Sequence, residues 1–153
     1  MLINKVLDLL PHQLAYAHCD IPCGIYDPNN LQMAAHTIYR MTELLRNEKD
    51  MHKVSRLTRV KEIHSDILEK EIATLADDYF KEEHYKNYKD LEDIFDELIG
   101  LSMKARQNID PDSAALLIEK TNKVAQIYYQ TKGLESKRVK APYPTEKDIT
   151  VQS

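Results

Sequence analysis

The residues best equipped for chemistry lie in one run, His18-Cys19-Asp20-Ile21-Pro22-Cys23-Gly24-Ile25-Tyr26-Asp27-Pro28. It contains both cysteines of a 153-residue chain, and a histidine stands beside the first of them. Thiolate and imidazole are ligands for the softer transition metals, not for Mg or Ca. The Cys-x3-Cys spacing is longer than the Cys-x-x-Cys redox pair of thioredoxin-like proteins. The second Cys or His pair of a four-ligand structural zinc site is missing. The side chains therefore offer one nitrogen and two sulfurs, and a fourth donor has to come from the backbone, from solvent or from a new chain end.

The residues just upstream suggest the new chain end. Ala15-Tyr16-Ala17 is a small-x-small triplet of the kind that processing peptidases cut. A cut after Ala17 would give His18 a free α-amine. That amine, the Cys19 amide nitrogen and the thiolates of Cys19 and Cys23 would make a planar set of two nitrogens and two sulfurs, closed by five-membered chelate rings. Planar N,S donation suits a d8 ion such as Ni(II), and the His18 ring could approach axially. Plainer readings stand beside this one. The two cysteines could be an ordinary dithiol or a strained disulfide, and His18 a surface polar residue. Asp20 could serve a turn and Tyr26 the core. Two rivals follow: a small helical carrier of copper or zinc, and a helical interaction module with a regulatory dithiol.

The run resembles the nickel-binding hook of the nickel-dependent superoxide dismutases, His-Cys-Asp-x-Pro-Cys-Gly-x-Tyr, and matches it at every fixed position. A second match follows in Asp78-Tyr79-Phe80-Lys81, with His84 and Tyr88, and the resemblance extends from His18 to about Lys132. It implies a precursor whose leader, residues 1–17, is removed, and bundles assembled as a homohexamer with one nickel ion (Ni2+/Ni3+) per subunit. His18, Cys19 and Cys23 would be the metal ligands, with Asp20 bracing backbone amides and Pro22 in the cis form. The resemblance places the Tyr26 hydroxyl beside the open face of the metal. Tyr79 is the second candidate catalytic residue. Lys81 is either a solvated charge or a cation that draws in an anionic substrate. The activity implied is dismutation of superoxide to O2 and H2O2. In one respect the chain departs from the family: where some members hold the histidine ring with a Glu and an Arg, Ala34 and His64 stand.

Composition sets outer bounds. The chain suits one domain with a real core. A formal charge of −4 leaves no nucleic-acid footprint. No apolar run approaches the roughly 20 residues of a membrane span. Cysteine confined to the hook argues against a disulfide-stapled secreted fold. Leu2, Ile3, Val6, Leu7, Leu9 and Leu10 have helical spacing, but Asp8 interrupts them and Lys5 is their one basic residue, unlike a secretory signal. A cytoplasmic enzyme is the expectation. His36, His52, His64 and His84 are scattered and predict no second metal site.

The elements needed to carry the hook read as all-α, an up-and-down four-helix bundle with an irregular N-terminal metal-binding hook over 18–30. Asp27-Pro28-Asn29-Asn30 is turn and cap chemistry. A first helix over about 31–47 turns Leu31, Ala34, Ala35, Ile38, Met41, Thr42 and Leu45 inward. A second, about 51–76, turns in Val54, Leu57, Val60, Ile63, Ile67, Ile72 and Leu75. A third, about 88–105, uses Leu91, Ile94, Phe95 and Leu98. Asp110-Pro111 opens the fourth, with stripe Leu117, Thr121, Val124 and Tyr128, and Lys132-Gly133 closes it, so the bundle spans 31–133. Residues 134–153, with Pro142 and Pro144 among charges, read as a flexible tail.

Overall fold

The computed structural model describes residues 24–153. The leader 1–17 and the hook residues His18, Cys19, Asp20, Pro22 and Cys23 lie outside the described residues. Four long helices carry the body: α1 (Asn29–Leu45), α2 (Met51–Ala73), α4 (Leu91–Gln107) and α5 (Pro111–Thr131). They close a ring in which α1 packs on α2, α2 on α4, α4 on α5 and α5 on α1. A π-helical turn, Thr74–Tyr79, extends α2, and a short α3 (Glu82–Asn87) links it to α4.

The helix ends follow from local chemistry. Asp27 Oδ1 accepts from the Asn29 amide at 2.7 Å, just before α1. The Asp50 carboxylate accepts from the His52 and Lys53 amides at 2.9 and 3.2 Å, satisfying two donors that a helix start leaves open. Asp110 does the same for α5, taking the Ser113 amide at 3.0 Å and its hydroxyl at 2.7 Å. Those bonds, with Lys104 beside them, hold the Asp110 carboxyl well below the usual carboxylate range. Gly133, at φ +68°, ends α5. The Gly133 amide donates to the Gln130 carbonyl and the Leu134 amide to that of Tyr129, at 3.0 and 2.9 Å, a pairing that needs a left-handed residue between.

The inward faces of α1, α4 and α5 are those expected, except that Met41 is only half-buried. The face of α2 is not. Lys61, Ser65, Leu68, Ile72 and then Leu75 are buried, whereas Ile63 and Ile67 are 43 % and 38 % exposed and Val54, Leu57 and Val60 half-buried. Ile63 lies two residues past Lys61, about 200° around the axis, so both cannot face the same neighbours. The polar residue wins because it is satisfied. Lys61 Nζ donates to the Asn108 carbonyl at 2.7 Å, where a cation meets the negative end of α4. Ser65 donates to its own helix.

Residues 134–153 are not a loose tail. Strand β1 (Ser136–Lys140) pairs antiparallel with β2 (Asp148–Gln152), Val139 opposite Ile149, and the hairpin packs on α5. Helix side chains satisfy β2. The Gln32 amide gives to the Thr150 carbonyl at 3.0 Å and takes its N–H at 2.8 Å, as a neighbouring strand would. Asn122 Nδ2 donates to the Asp148 carbonyl at 2.9 Å, and the Thr150 hydroxyl donates to Asn122 Oδ1 at 2.7 Å. The prolines lie in the connection between the strands, where they do no harm.

Candidate functional site

The described chain begins inside the hook, just after Cys23. Gly24, at φ +89°, is in the left-handed region, so a side chain there would be strained. Pro28 is buried, and between them Tyr26 is half-buried against the end of the bundle.

Three elements meet at Tyr26. Its ring lies 5.4 Å from that of Tyr79, tilted by 54°. Tyr79 is delivered by the π-turn: the Phe80 amide reaches back five residues to the Leu75 carbonyl at 2.8 Å, and Tyr79 and Phe80 are both buried. From α5, Tyr128 packs on Tyr79 at 4.7 Å, and its hydroxyl donates to the Tyr26 carbonyl. From α3, the His84 ring stacks on Tyr79 at 5.9 Å and 10°. The Lys132 ammonium stands 4.9 Å from the centre of the Tyr79 ring and 5.8 Å from that of Tyr128. A cation over an aromatic face is attracted by the ring's quadrupole.

The proton positions follow from the partners. The Thr131 hydroxyl donates to the Tyr128 carbonyl at 2.7 Å, which uses its one proton. The 2.7 Å contact between Tyr79 Oη and Thr131 Oγ1 is therefore donated by Tyr79. Burial, then Tyr79, Asp27 and Tyr129, push the Tyr128 phenol up, and burial followed by Asp27 does so for Tyr129. Tyr128 thus remains a protonated donor across the physiological range.

Of the expected site residues, Tyr26 and Tyr79 are brought together. Lys81 is exposed at the start of α3, where its amide donates to His84 Nδ1 at 2.9 Å, so the His84 proton sits on Nε2. Ala34 is in the core, and His64 gives its Nδ1–H to the Val60 carbonyl at 2.9 Å, leaving Nε2 for other contacts. Sequence reasoning missed Tyr128, Thr131 and Lys132. Tyr128 was read only as part of a core stripe; the Thr-Lys pair at the end of an aromatic helix is a weak signal. Among the described residues no group of three or more His, Cys, Asp or Glu side chains could hold a metal ion. The soft donors His18, Cys19 and Cys23 are the set that suits a thiophilic ion.

A family model described as nickel-containing superoxide dismutase matches residues 13–132. The superoxide dismutase [Ni] of Streptomyces seoulensis is 28 % identical over 116 residues, 76 % of this chain and 88 % of that protein. Its counterpart from Streptomyces coelicolor is 27 % identical over 122 residues, 80 % and 93 %. A native nickel superoxide dismutase structure superposes with a TM-score of 0.71 at 27 % identity, covering 75 % of this chain and 99 % of that one. A second, with nickel ligation corresponding to the oxidised state, gives 0.71 at 28 %, covering 76 % and 99 %.

Proposed function

Because this chain belongs to the nickel-containing superoxide dismutase family, we propose that it works through one nickel ion per subunit, held by its N-terminal hook. The protein is an oxidoreductase that converts two superoxide anions and two protons to O2 and H2O2. Bound nickel supplies the one-electron couple that lets superoxide be oxidised in one half-reaction and reduced in the other. The observation that carries the reading is the family match over 13–132, which includes both cysteines and the Tyr26–Tyr79 pair. The rival carrier and dithiol readings are not favoured by it.

His18, Cys19 and Cys23 are the proposed ligands, and the His18 amine requires removal of residues 1–17 by a peptidase cutting after Ala17. Asp20 and Pro22 shape the hook, since groups behind a ligand fix its orientation. Tyr26 and Tyr79 line the approach. With its own proton given to Thr131, the Tyr79 oxygen would accept from a water or a protonated substrate. Lys132, and Lys81 farther along the surface, supply positive potential for a small anion in a chain whose net charge is −4. The exposed Ile63 and Ile67 on α2 and Ile99 and Met103 on α4 support assembly of several copies, proposed as a homohexamer. A cytoplasmic location is proposed from Asp8 and the single basic residue of the leader.

The test is the mass and metal content of the protein purified from its native host. A chain beginning at His18 with about one nickel per subunit is expected, because the ligand set exists only after the cut. A full-length chain carrying zinc, or no metal, would refute the reading.

A further inference from the structure

Tyr128 has a role that neither its burial nor its place in the α5 stripe explains. It is 8 % exposed, and its ring is held between Tyr79 at 4.7 Å and Tyr129 at 5.5 Å. Its own carbonyl is fixed by the Thr131 hydroxyl. The ring can therefore pivot little, and its hydroxyl is aimed at one atom, the carbonyl oxygen of Tyr26. That carbonyl lies three residues past Cys23 in sequence. A rigid helix end thus grips the main chain where it leaves the hook, and grips it at the residue whose ring lies against Tyr79.

We propose that Tyr128 is a positioning residue for the hook. Its hydroxyl fixes the main chain at Tyr26, three residues after Cys23 in sequence, and with it the Tyr26 ring against Tyr79. The inference rests on the reading that the hook holds nickel, but the tether itself lies wholly within the described residues. Burial keeps the phenol protonated, so it donates at every pH where the enzyme would work. A phenylalanine could fill the same space, but it could not hold the carbonyl.

Tyr128→Phe removes one oxygen and keeps the ring. In the metal-free chain, selective carbonyl labelling at Tyr26 should show a shifted carbon resonance in the variant. In the processed, nickel-loaded protein, transfer of nickel to excess EDTA should be about five- to tenfold faster, the scale of one net hydrogen bond. The electron paramagnetic resonance line shape of the oxidised metal should change as well. Ser102→Ala is the control. It deletes a buried hydroxyl that donates to Glu69 at 2.9 Å on α2, and should leave both nickel readouts as in the wild type. A Tyr128→Phe protein that keeps nickel as long as the wild type, with an unchanged spectrum, overturns the inference and leaves the family-based reading standing. A processed wild type that takes up no nickel overturns both.

Discussion

Two polar networks join the start of the chain's body to α5, and they are built for different ends. In one, Gln32 and His36 of α1 and Asn122 of α5 grip the backbone of β2 and its approach. Its members are amides and an imidazole, buried and each hydrogen-bonded. In the other, Tyr79, Tyr128 and Thr131 surround Tyr26. Its members are the phenols of Tyr79 and Tyr128 and the hydroxyl of Thr131, packed among aromatic rings. The first network makes a strand at home on helices and serves stability. The second lies within the region matched to the family, whereas the hairpin lies beyond residue 132. A buried network whose groups are all paired is costly to cut.

The contrast breaks most sharply in the hook. Cys19→Ser or Cys23→Ser should reduce dismutation in the processed protein far more than the roughly 10- to 100-fold typical of an outer partner of a metal ligand. Stopped-flow decay of superoxide measures it, and the thermal midpoint of the metal-free chain should not change. Gln32→Ala does the reverse. It strands the Thr150 N–H and carbonyl in a buried site, and about 1–3 kcal/mol is expected for each group left unpaired. Chemical denaturation should show that loss, with activity per folded, nickel-loaded subunit near wild type. If Gln32→Ala abolished activity without lowering stability, the division between the networks would be wrong.

Smaller effects sharpen it. His36 is buried; its Nε2–H donates to the Asp148 carbonyl at 3.3 Å, and Nδ1 accepts from Thr145 at 2.7 Å. Burial lowers its pKa from 6.5, and the neighbouring Asp148 offsets part of this. The folded state therefore prefers the neutral ring. Its contribution is complete above the unfolded value, about 6.5, and is lost as the pH falls from there through the lowered folded value. Protection of the β2 amides, relative to their intrinsic exchange rates, should fall over that window, and His36→Gln should flatten this dependence. Tyr79→Phe should lose about 1 kcal/mol of stability with its bond to Thr131. Its kcat/KM should fall more than that of Tyr85→Phe, which deletes a similar bond to the Ala76 carbonyl. Lys132→Ala should have the smallest effect, a few-fold lower kcat/KM with a shallower dependence on ionic strength, because a surface cation acts mainly on encounter.

How far the sequence could be read follows the same line. Asp110-Pro111 and Gly133 act within a few residues of themselves, so their caps were plain. The hook motif and the Tyr26–Tyr79 pair were legible because their residue types and spacing match a known pattern. The phase of α2 was not, because isoleucines were counted as inward while Lys61 and Ser65 had partners that only the fold supplies. Gln32 and Asn122 drew no reading from the sequence; their partner is a strand more than a hundred residues from Gln32 and 26 from Asn122 at its nearest bond. The π-turn shifts Tyr79 off the α-helical count, and no propensity announces such a turn.

The account stands on the free amine of His18. The direct measurement compares superoxide decay by the chain beginning at His18 with that by the same chain carrying one additional alanine in front, both folded and offered equal nickel. The account predicts rapid dismutation by the first and its loss in the second, with the bundle unchanged by circular dichroism. Equal turnover by the two would contradict it.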